Sequence, residues 1–194
     1  RLPEVVSELK AIKPRLLYAI GAGSSYFVGL AGRYLIESFA RTPTKELSSK
    51  DFQFYAKNAL SEGDVVIAIS QSGETVETIE AVKSIGDHRI HTIALTNNPD
   101  SRLAQLCKSL VLTIAGEEKG PGTKTVVAQC VAMYQFAAHL ARELSIGDDG
   151  NAEQRLSELA LAPEYISTML EGSSREQLDS LADSMRDDDV LYIV

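Results

Sequence analysis

Residues 70–75, with the sequence Ser-Gln-Ser-Gly-Glu-Thr, combine three hydroxyls, one amide and one glycine in six positions. The apolar, β-branched run at 65–69 precedes them, which is typical of a strand buried on both faces of a parallel sheet. Apolar residues at helical spacing follow, from Val76 to Ile85. The hexapeptide is therefore predicted to be a strand-to-helix turn.

A helix N-terminus exposes unpaired N–H groups and carries about half a positive charge. Gly73 would let a ligand approach the backbone closely, and small hydroxyls add hydrogen-bond donors without bulk. This chemistry is suited to an anion, most simply a phosphate group. The alternative is a helix that is merely well capped, with Ser72 as its N-cap.

A second segment has the same order of elements. A predicted buried strand at 16–20 leads into Gly-Ala-Gly-Ser-Ser at 21–25, and a predicted helix covers 26–39. Two such turns at one crevice would form a composite anion site. A dinucleotide-binding motif would need a third glycine where Tyr26 stands, so we expect no nicotinamide cofactor.

The composition limits the class of protein. The 194 residues suffice for one α/β domain or for one domain and part of another, and the net charge of −8 argues against nucleic acid and anionic membranes as partners. No apolar run approaches the roughly 20 residues of a membrane span, and no signal peptide is visible. We expect a cytoplasmic protein in which Cys107 and Cys130 are reduced core thiols; the alternative is a disulfide.

The remaining pattern alternates strands with helices. A helix is predicted at 2–12, strands at 42–47, 89–95 and 109–114, and a short helix at 51–59 capped by Ser49 or Asp51. This alternation predicts an α/β fold, a parallel, doubly wound sheet with right-handed crossovers. Ligands of such sheets bind at the carboxyl ends of the strands, near the switch in strand order.

A long apolar helix is predicted at 123–144. Its apolar surface suggests burial against a second copy or a second domain, and from it we expect at least a dimer. The alternative is a core helix of this domain alone.

The C-terminal part is predicted to be helical at 152–161, 163–170 and 174–185 after a polar break at 147–150. The final run at 190–194 repeats the pattern of residues 15–20. It is interpreted as the first strand of a second, similar domain. The alternative is one more strand of the first sheet.

Three segments together resemble the SIS (sugar isomerase) family. They are Gly-Ala-Gly-Ser-Ser-Tyr at 21–26, Ser-Gln-Ser-Gly-Glu-Thr at 70–75, and Glu-Lys-Gly-Pro-Gly-Thr-Lys at 118–124. The likeness runs from about 16 to 144. It is to proteins with two SIS domains: the isomerase half of glutamine–fructose-6-phosphate transaminase, and stand-alone amino-sugar phosphate isomerases, deaminases and deglycases.

The resemblance implies a three-layer αβα sandwich with a five-stranded, flavodoxin-like parallel sheet. It implies a first domain at 1–146, a helical connection at 147–186 and the start of a second SIS domain at 187–194. It also implies sugar-phosphate binding. The sequence shows no cluster of His, Cys and carboxylates, so we expect no metal. The implied phosphate ligands are Ser24, Ser25, Ser70, Gln71, Ser72 and Thr75.

The loop at 118–124 departs from the transaminase pattern, because it is one residue shorter and contains Gly-Pro-Gly. Sugar contacts are therefore not transferred from this loop, and the departure favours the stand-alone enzymes. Lys124 is expected either beside the anion or simply at the start of a helix.

Isomerisation or deamination needs a general acid or base near C1 and C2 of the sugar. Glu118 is the one carboxylate nominated here, and the alternative is a solvated surface residue. His88, His91 and His139 do not cluster with any motif. In the family the acid–base groups come from the second domain, the C-terminal tail or a partner subunit. We therefore expect a phosphosugar-binding lobe with an incomplete active site; the alternative is a regulatory sugar-phosphate sensor.

Overall fold

The computed structural model describes residues 2–86, 89–118, 122–145 and 149–186. Five strands alternate with helices in the first part of the chain, and helices follow. The strands are β1 (Leu16–Gly21), β2 (Thr44–Ser48), β3 (Asp64–Ile69), β4 (His91–Thr96) and β5 (Ser109–Leu112). The helices are α1 (Leu2–Ile12), α2 (Ser24–Ala40), α3 (Ser49–Phe54), α4 (Val76–Lys83), α5 (Arg102–Leu106), α6 (Lys124–Glu143), α7 (Asp149–Ala160), α8 (Ala162–Leu170) and α9 (Gly172–Ser184), with a 3-10 turn at Ala56–Ala59.

All strand pairs are parallel, in the order β2-β1-β3-β4-β5. This confirms the predicted sheet. The fifth strand ends at Leu112, two residues before the predicted end at 114, where the backbone of Ile114 is left-handed with a φ of 52°. Its side chain is 84% exposed, so residue 114 lies outside the core.

Successive side chains of the central strands enter two different cores, which explains why these strands are apolar over most of their length. In β3, Val65, Ile67 and Ile69 pack with α1, α2 and α6 on one face. Val66 and Ala68 pack on the other face, with residues of α3, α4 and α5. The three-layer αβα sandwich is therefore confirmed.

Helix α6 is a core helix of this domain. It packs against α2 and α1, and the approach is close: a Cβ on Gly32 of α2 would lie 2.2 Å from Cε of Met133. Much of its apolar surface is thus covered by its own domain. The packing therefore agrees with the alternative prediction, a core helix of this domain. The apolar surface of α6 is not a reason to expect a dimer.

Two helix starts differ from the sequence-based expectation. The side chain that caps α3 is Ser48, whose Oγ accepts a hydrogen bond of 3.0 Å from the Asp51 N–H. Ser49 is instead buried, 3.0 Å from the hydroxyl of Thr78. Helix α2 begins at Ser24 rather than at residue 26, so both predicted serines of that turn belong to its first turn.

Both cysteines, Cys107 and Cys130, are free, as expected, and each is partly buried. Burial raises the pKa of the Cys107 thiol to about 12. Within the described ranges, no helix has both the length and the apolar character of a membrane span.

The chain divides into two compact units, Arg1–Gln154 and Arg155–Val194. In the second unit α8 and α9 contact each other. Several of their large apolar side chains are exposed: Tyr165, Ile166, Met169, Leu170, Leu178 and Leu181. The predicted strand of a second SIS domain, at 187–194, lies outside the described residues.

The burial of α6 can be tested by shortening one side chain on each of its faces. Phe136 is 1% exposed and Val127 is 57% exposed. We expect Phe136→Ala to lower the free energy of unfolding by about 3–5 kcal/mol, because it removes buried area and leaves a cavity. Val127→Ala, the control, should change it by less than about 0.5 kcal/mol. Urea denaturation measures both, and equal losses would contradict the assigned faces.

Candidate functional site

The two serine-bearing turns leave the sheet side by side. In the β1–β3 pairing, Gly21 lies opposite Ile69, so the segments that follow begin at neighbouring positions. From there α2 packs on one face of the sheet and α4 on the other. This is the topological switch point, where doubly wound sheets open a crevice.

Ser70 shapes the second turn from inside. It is 1% exposed, its hydroxyl shares a hydrogen bond of 2.8 Å with Thr75 Oγ1, and it accepts one of 3.1 Å from the Gly73 N–H. Both ends of the turn are thereby held together. Of the predicted ligands, Ser70 is thus the one most fully occupied by contacts within the protein.

The backbone of this turn is packed tightly against the end of β4 and the start of α5. A Cβ on Gly73, whose φ is +67°, would lie 2.1 Å from Ser101 Oγ and 2.9 Å from Thr96 Oγ1. The Gln71 carbonyl accepts hydrogen bonds from Thr96 Oγ1 at 3.1 Å and from the Asn97 N–H at 3.0 Å. Residues of two neighbouring segments therefore fix the turn.

Thr96, Asn97 and Ser101 were not among the predicted site residues. Asn97 Oδ1 accepts hydrogen bonds from Thr113 Oγ1 at 3.1 Å and from the Ala115 N–H at 2.8 Å. It thus connects the turn to the segment after β5. Only the order Thr-Asn-Asn-Pro directly after a predicted strand signalled a third polar turn at the same sheet edge.

Glu74 brings a carboxylate into a turn predicted to hold an anion, and Arg102 offsets its charge. The Glu74 carboxylate accepts hydrogen bonds from the Arg102 N–H at 2.9 Å and from its Nε at 2.5 Å. These contacts, the backbone one first, lower the pKa of Glu74. The negative charge is therefore paired at the neutral pH where a phosphate would bind.

Among α2 to α6, the helices of the sheet domain whose N-cap residues are described, the N-termini divide into two kinds. Side chains satisfy those of α3, α5 and α6, through Ser48, Ser101 and Glu118. Helices α2 and α4 have Gly23 and Thr75 at their N-cap positions, with no side-chain capping bond. The alternative in which Ser72 caps α4 is therefore wrong. The two uncapped helices are the two that begin at the switch point.

Hydroxyls of both turns are placed toward solvent. Ser72 is exposed, and its Oγ accepts a 3.1 Å hydrogen bond from the Glu74 N–H, which leaves its own proton to donate. Ser24 is exposed and Ser25 is half-buried. Neither hydroxyl is hydrogen-bonded to another described residue, so both are able to contact a ligand.

Glu118 has a different setting. Its carboxylate accepts hydrogen bonds from the N–H groups of Thr123, Lys124 and Thr125, and from the hydroxyls of Thr123 and Thr125. The Thr125 hydroxyl is the largest cause of the lowered pKa of Glu118, about 2. A carboxylate held this way is a poor proton acceptor near neutral pH. Its contacts are those of a helix cap.

Lys124 is the first residue of α6, and its Nζ donates a 2.7 Å hydrogen bond to the Glu117 carbonyl. This placement fits the alternative in which it simply starts the helix.

The two described histidines, His91 and His139, form no hydrogen bond with the serine turns. His91 begins β4, at the sheet edge opposite the switch point, and burial lowers its pKa. His139 lies on α6, and burial lowers its pKa as well. His88 falls outside the described residues.

The strand order and the packing of the helices define a doubly wound α/β domain with a crevice at its switch point. Residues 11–139 match the SIS domain family, and the chain belongs to that family.

Individual relatives agree with this assignment. The chain is 34% identical over 157 residues to the isomerizing glutamine–fructose-6-phosphate aminotransferase of Gloeobacter violaceus, covering 80% of this chain and 25% of that protein. It thus spans about a quarter of the length of the curated relatives it matches.

Solved structures share the fold. One is the C-terminal domain of glucosamine-fructose-6-phosphate aminotransferase from Francisella tularensis (TM-score 0.81, 24% identity), with coverage of 95% of this chain and 51% of that one. Another is the Vibrio vulnificus NanR protein complexed with ManNAc-6P (TM-score 0.59, 23% identity), with coverage of 84% and 60%.

The packing of Gly73 can be tested against another glycine of positive φ. Gly86 has φ +61° and no atom within 4 Å of a Cβ position. Gly86→Ala should cost about 1–2 kcal/mol of stability from backbone strain. Gly73→Ala should cost about 1–3 kcal/mol more, from overpacking against Ser101 and Thr96. Thermal unfolding compares them, and equal costs would argue against the crowded turn.

The capping role of Glu118 predicts a pH dependence. Its pKa is about 2 in the folded chain against an ordinary 4.5, so its contribution to stability is present above pH 4.5 and lost as the pH falls toward 2. Glu118→Gln should therefore lower the melting temperature most at neutral pH, and the difference from wild type should shrink below pH 4.5. The exposed Glu176→Gln serves as the control. A constant difference across this range would contradict the assignment.

Proposed function

We propose that the paired turns at the switch point bind the phosphate group of a sugar phosphate. The observation that carries the proposal is the pair of uncapped helix N-termini, α2 and α4, beginning at neighbouring positions of the sheet. N–H groups of their first turns would face the phosphate oxygens. The proposed side-chain ligands are Ser24, Ser25, Gln71, Ser72 and Thr75, with Ser70 fixing the turn that carries them.

The hydrogen-bond donors proposed for the phosphate carry no formal charge. The N-termini of α2 and α4 add a partial positive charge. The chain carries a net charge of −8, so long-range attraction does not bring an anion to this crevice. The local geometry has to hold it, and pairing of Glu74 with Arg102 removes the nearest repulsion. Neutral donors of this kind suit a single phosphate group.

The relatives support the class of ligand. The Gloeobacter violaceus relative is named for fructose 6-phosphate, and NanR was solved with ManNAc-6P. We therefore propose an amino-sugar or ketose 6-phosphate as the ligand, and acid–base chemistry at C1 and C2 as the reaction of the whole protein, without metal or nicotinamide. Isomerase, deaminase and deglycase reactions all follow this scheme.

The phosphate group would act as a handle that orients the reacting carbons. The phosphate group moves no protons itself. Glu118, which the sequence predicted as the acid–base group, instead caps helix α6. We therefore propose that the acid–base groups come from elsewhere: a second SIS domain whose first strand is the apolar run at 190–194, or a partner subunit.

A regulatory sensor is the second candidate, and the engagement of Glu118 favours it, since a sensor needs binding alone. Turnover of a bound hexose 6-phosphate, by this chain or by a longer protein that contains it, would identify the enzyme. Binding without turnover in both would identify the sensor.

We also propose that the chain acts as a homodimer in the cytoplasm. Two exposed aromatic side chains seven residues apart on α2, Phe27 and Tyr34, lie on one face of that helix and support an interface. The free thiols fit a reducing compartment.

Titration calorimetry tests the phosphate site. We expect fructose 6-phosphate or glucosamine 6-phosphate to bind, and fructose at least about tenfold more weakly, because the fixed donors address the phosphate group. Equal affinity for the sugar with and without phosphate would refute the proposal.

Ser72→Asp should abolish this binding through like-charge repulsion while the chain remains folded, because Asp at 72 can still accept the Glu74 N–H. Ser7→Asp makes the same change on the exposed face of α1, away from the turns, and should leave binding intact. Loss of binding in both variants would point to a general charge effect instead.

A further inference from the structure

A cavity of about 590 Å³ lies at the amino-terminal ends of the strands, on the side of the sheet away from the serine turns. It lies where the strands begin, because its lining includes residues immediately before β1, β3 and β5 and the first residue of β4. Strands of six residues separate it from the serine turns by about 20 Å, at roughly 3.3 Å per residue. Its charged or titratable lining residues are Lys13, Arg15, Glu62, Arg89, His91 and Lys108.

The cations of this cavity are mostly uncompensated. Lys13, Arg89 and Lys108 are exposed, and none has an ion-pair partner among the described residues. Lys13 directly follows α1, so its charge is explained by the negative end of that helix. Lys108 likewise follows the C-cap of the short helix α5. Arg89 stands before β4, and no described helix ends directly before it.

An ion pair with Asp64 fixes the side chain of Arg15. Its Nη2 donates a 2.8 Å hydrogen bond to Oδ2 of Asp64, whose side chain is fully buried. The same Oδ2 accepts a 2.9 Å hydrogen bond from the Ser61 N–H, so the carboxylate itself is fixed. A guanidinium held in this way is ready to meet an anion at little cost in side-chain entropy.

Four cations thus line the cavity with one carboxylate, Glu62, in a chain whose net charge is −8. Asp64, paired with Arg15, and Glu8, 3.6 Å from His91, lie beside it. His91 adds no charge at neutral pH, since burial, with the neighbouring Lys108, lowers its pKa. Its Nε2 lies 2.9 Å from Ser109 Oγ, which donates a 2.6 Å hydrogen bond to Glu8. His91 therefore lines the cavity without contributing to its positive charge.

We propose that this cavity is a second anion site, which binds a small molecule carrying two adjacent phosphate groups. The cavity is in the size range of sites for organic ligands and exceeds what a single phosphate fills. Its full charges match a multiply charged group, whereas the serine turns offer neutral donors. The proposal does not depend on the function proposed for those turns.

Calorimetry with inorganic pyrophosphate on the 194-residue chain tests the site. We expect saturable binding at low ionic strength that weakens steeply with added salt, because the contacts are between full charges. The double variant Arg89→Gln/Lys108→Gln should lose about tenfold or more in pyrophosphate affinity. Both side chains are exposed, so circular dichroism should show an unchanged fold.

The matched control, Lys45→Gln/Lys57→Gln, removes the same charge at positions that do not line the cavity, and should keep pyrophosphate affinity within about twofold. Hexose 6-phosphate affinity should be unchanged in Arg89→Gln/Lys108→Gln, which separates this site from the serine turns. No binding at millimolar pyrophosphate, full binding by the cavity variant, or equal losses in both double variants would overturn the proposal.

Discussion

The parallel pairing of β1 with β3 is the contact on which the candidate site depends. It sets Gly21 opposite Ile69, and so brings together two turns that are almost fifty residues apart in the chain. Because the helices after these strands pack on opposite faces, their N-termini separate around a crevice instead of crowding each other. A one-residue slip of this register would also exchange the side chains between the two cores, so packing energy holds the geometry of the site.

Helix capping shows how the domain distributes its hydrogen bonds. An N–H group left unpaired at a buried helix end costs stability, and side chains commonly remove that cost. Here Ser48, Ser101 and Glu118 do so at α3, α5 and α6. The helices that open the crevice have no such side chain. The tightly fixed Gly73 turn, held by Thr96 and Ser101, then keeps the exposed donors in place.

Charge is arranged differently at the carboxyl ends and at the amino ends of the strands. At the carboxyl ends of β1 and β3, the Glu74 carboxylate is paired with Arg102, and the side chains proposed as phosphate ligands are neutral. At the amino ends Arg15, Arg89 and Lys108 collect in one cavity of an otherwise acidic chain. The two proposed sites would therefore select their anions differently: the first by the geometry of its hydrogen bonds, the second by the field of several cations.

The sequence by itself determined the parallel sheet, because strands buried on both faces must be apolar throughout and the helices between them must be amphipathic. It also placed the two serine turns at strand ends, since their residue types are local signals. Contacts between distant segments were decided only by the tertiary structure. The capping of α6 by Glu118, the support of Gly73 by Ser101, and the burial of α6 against α2 all depend on which surfaces meet. The cationic cavity is of the same kind, because Arg15, Arg89 and Lys108 are far apart in the chain, and only the common direction of parallel strands brings their starting points together.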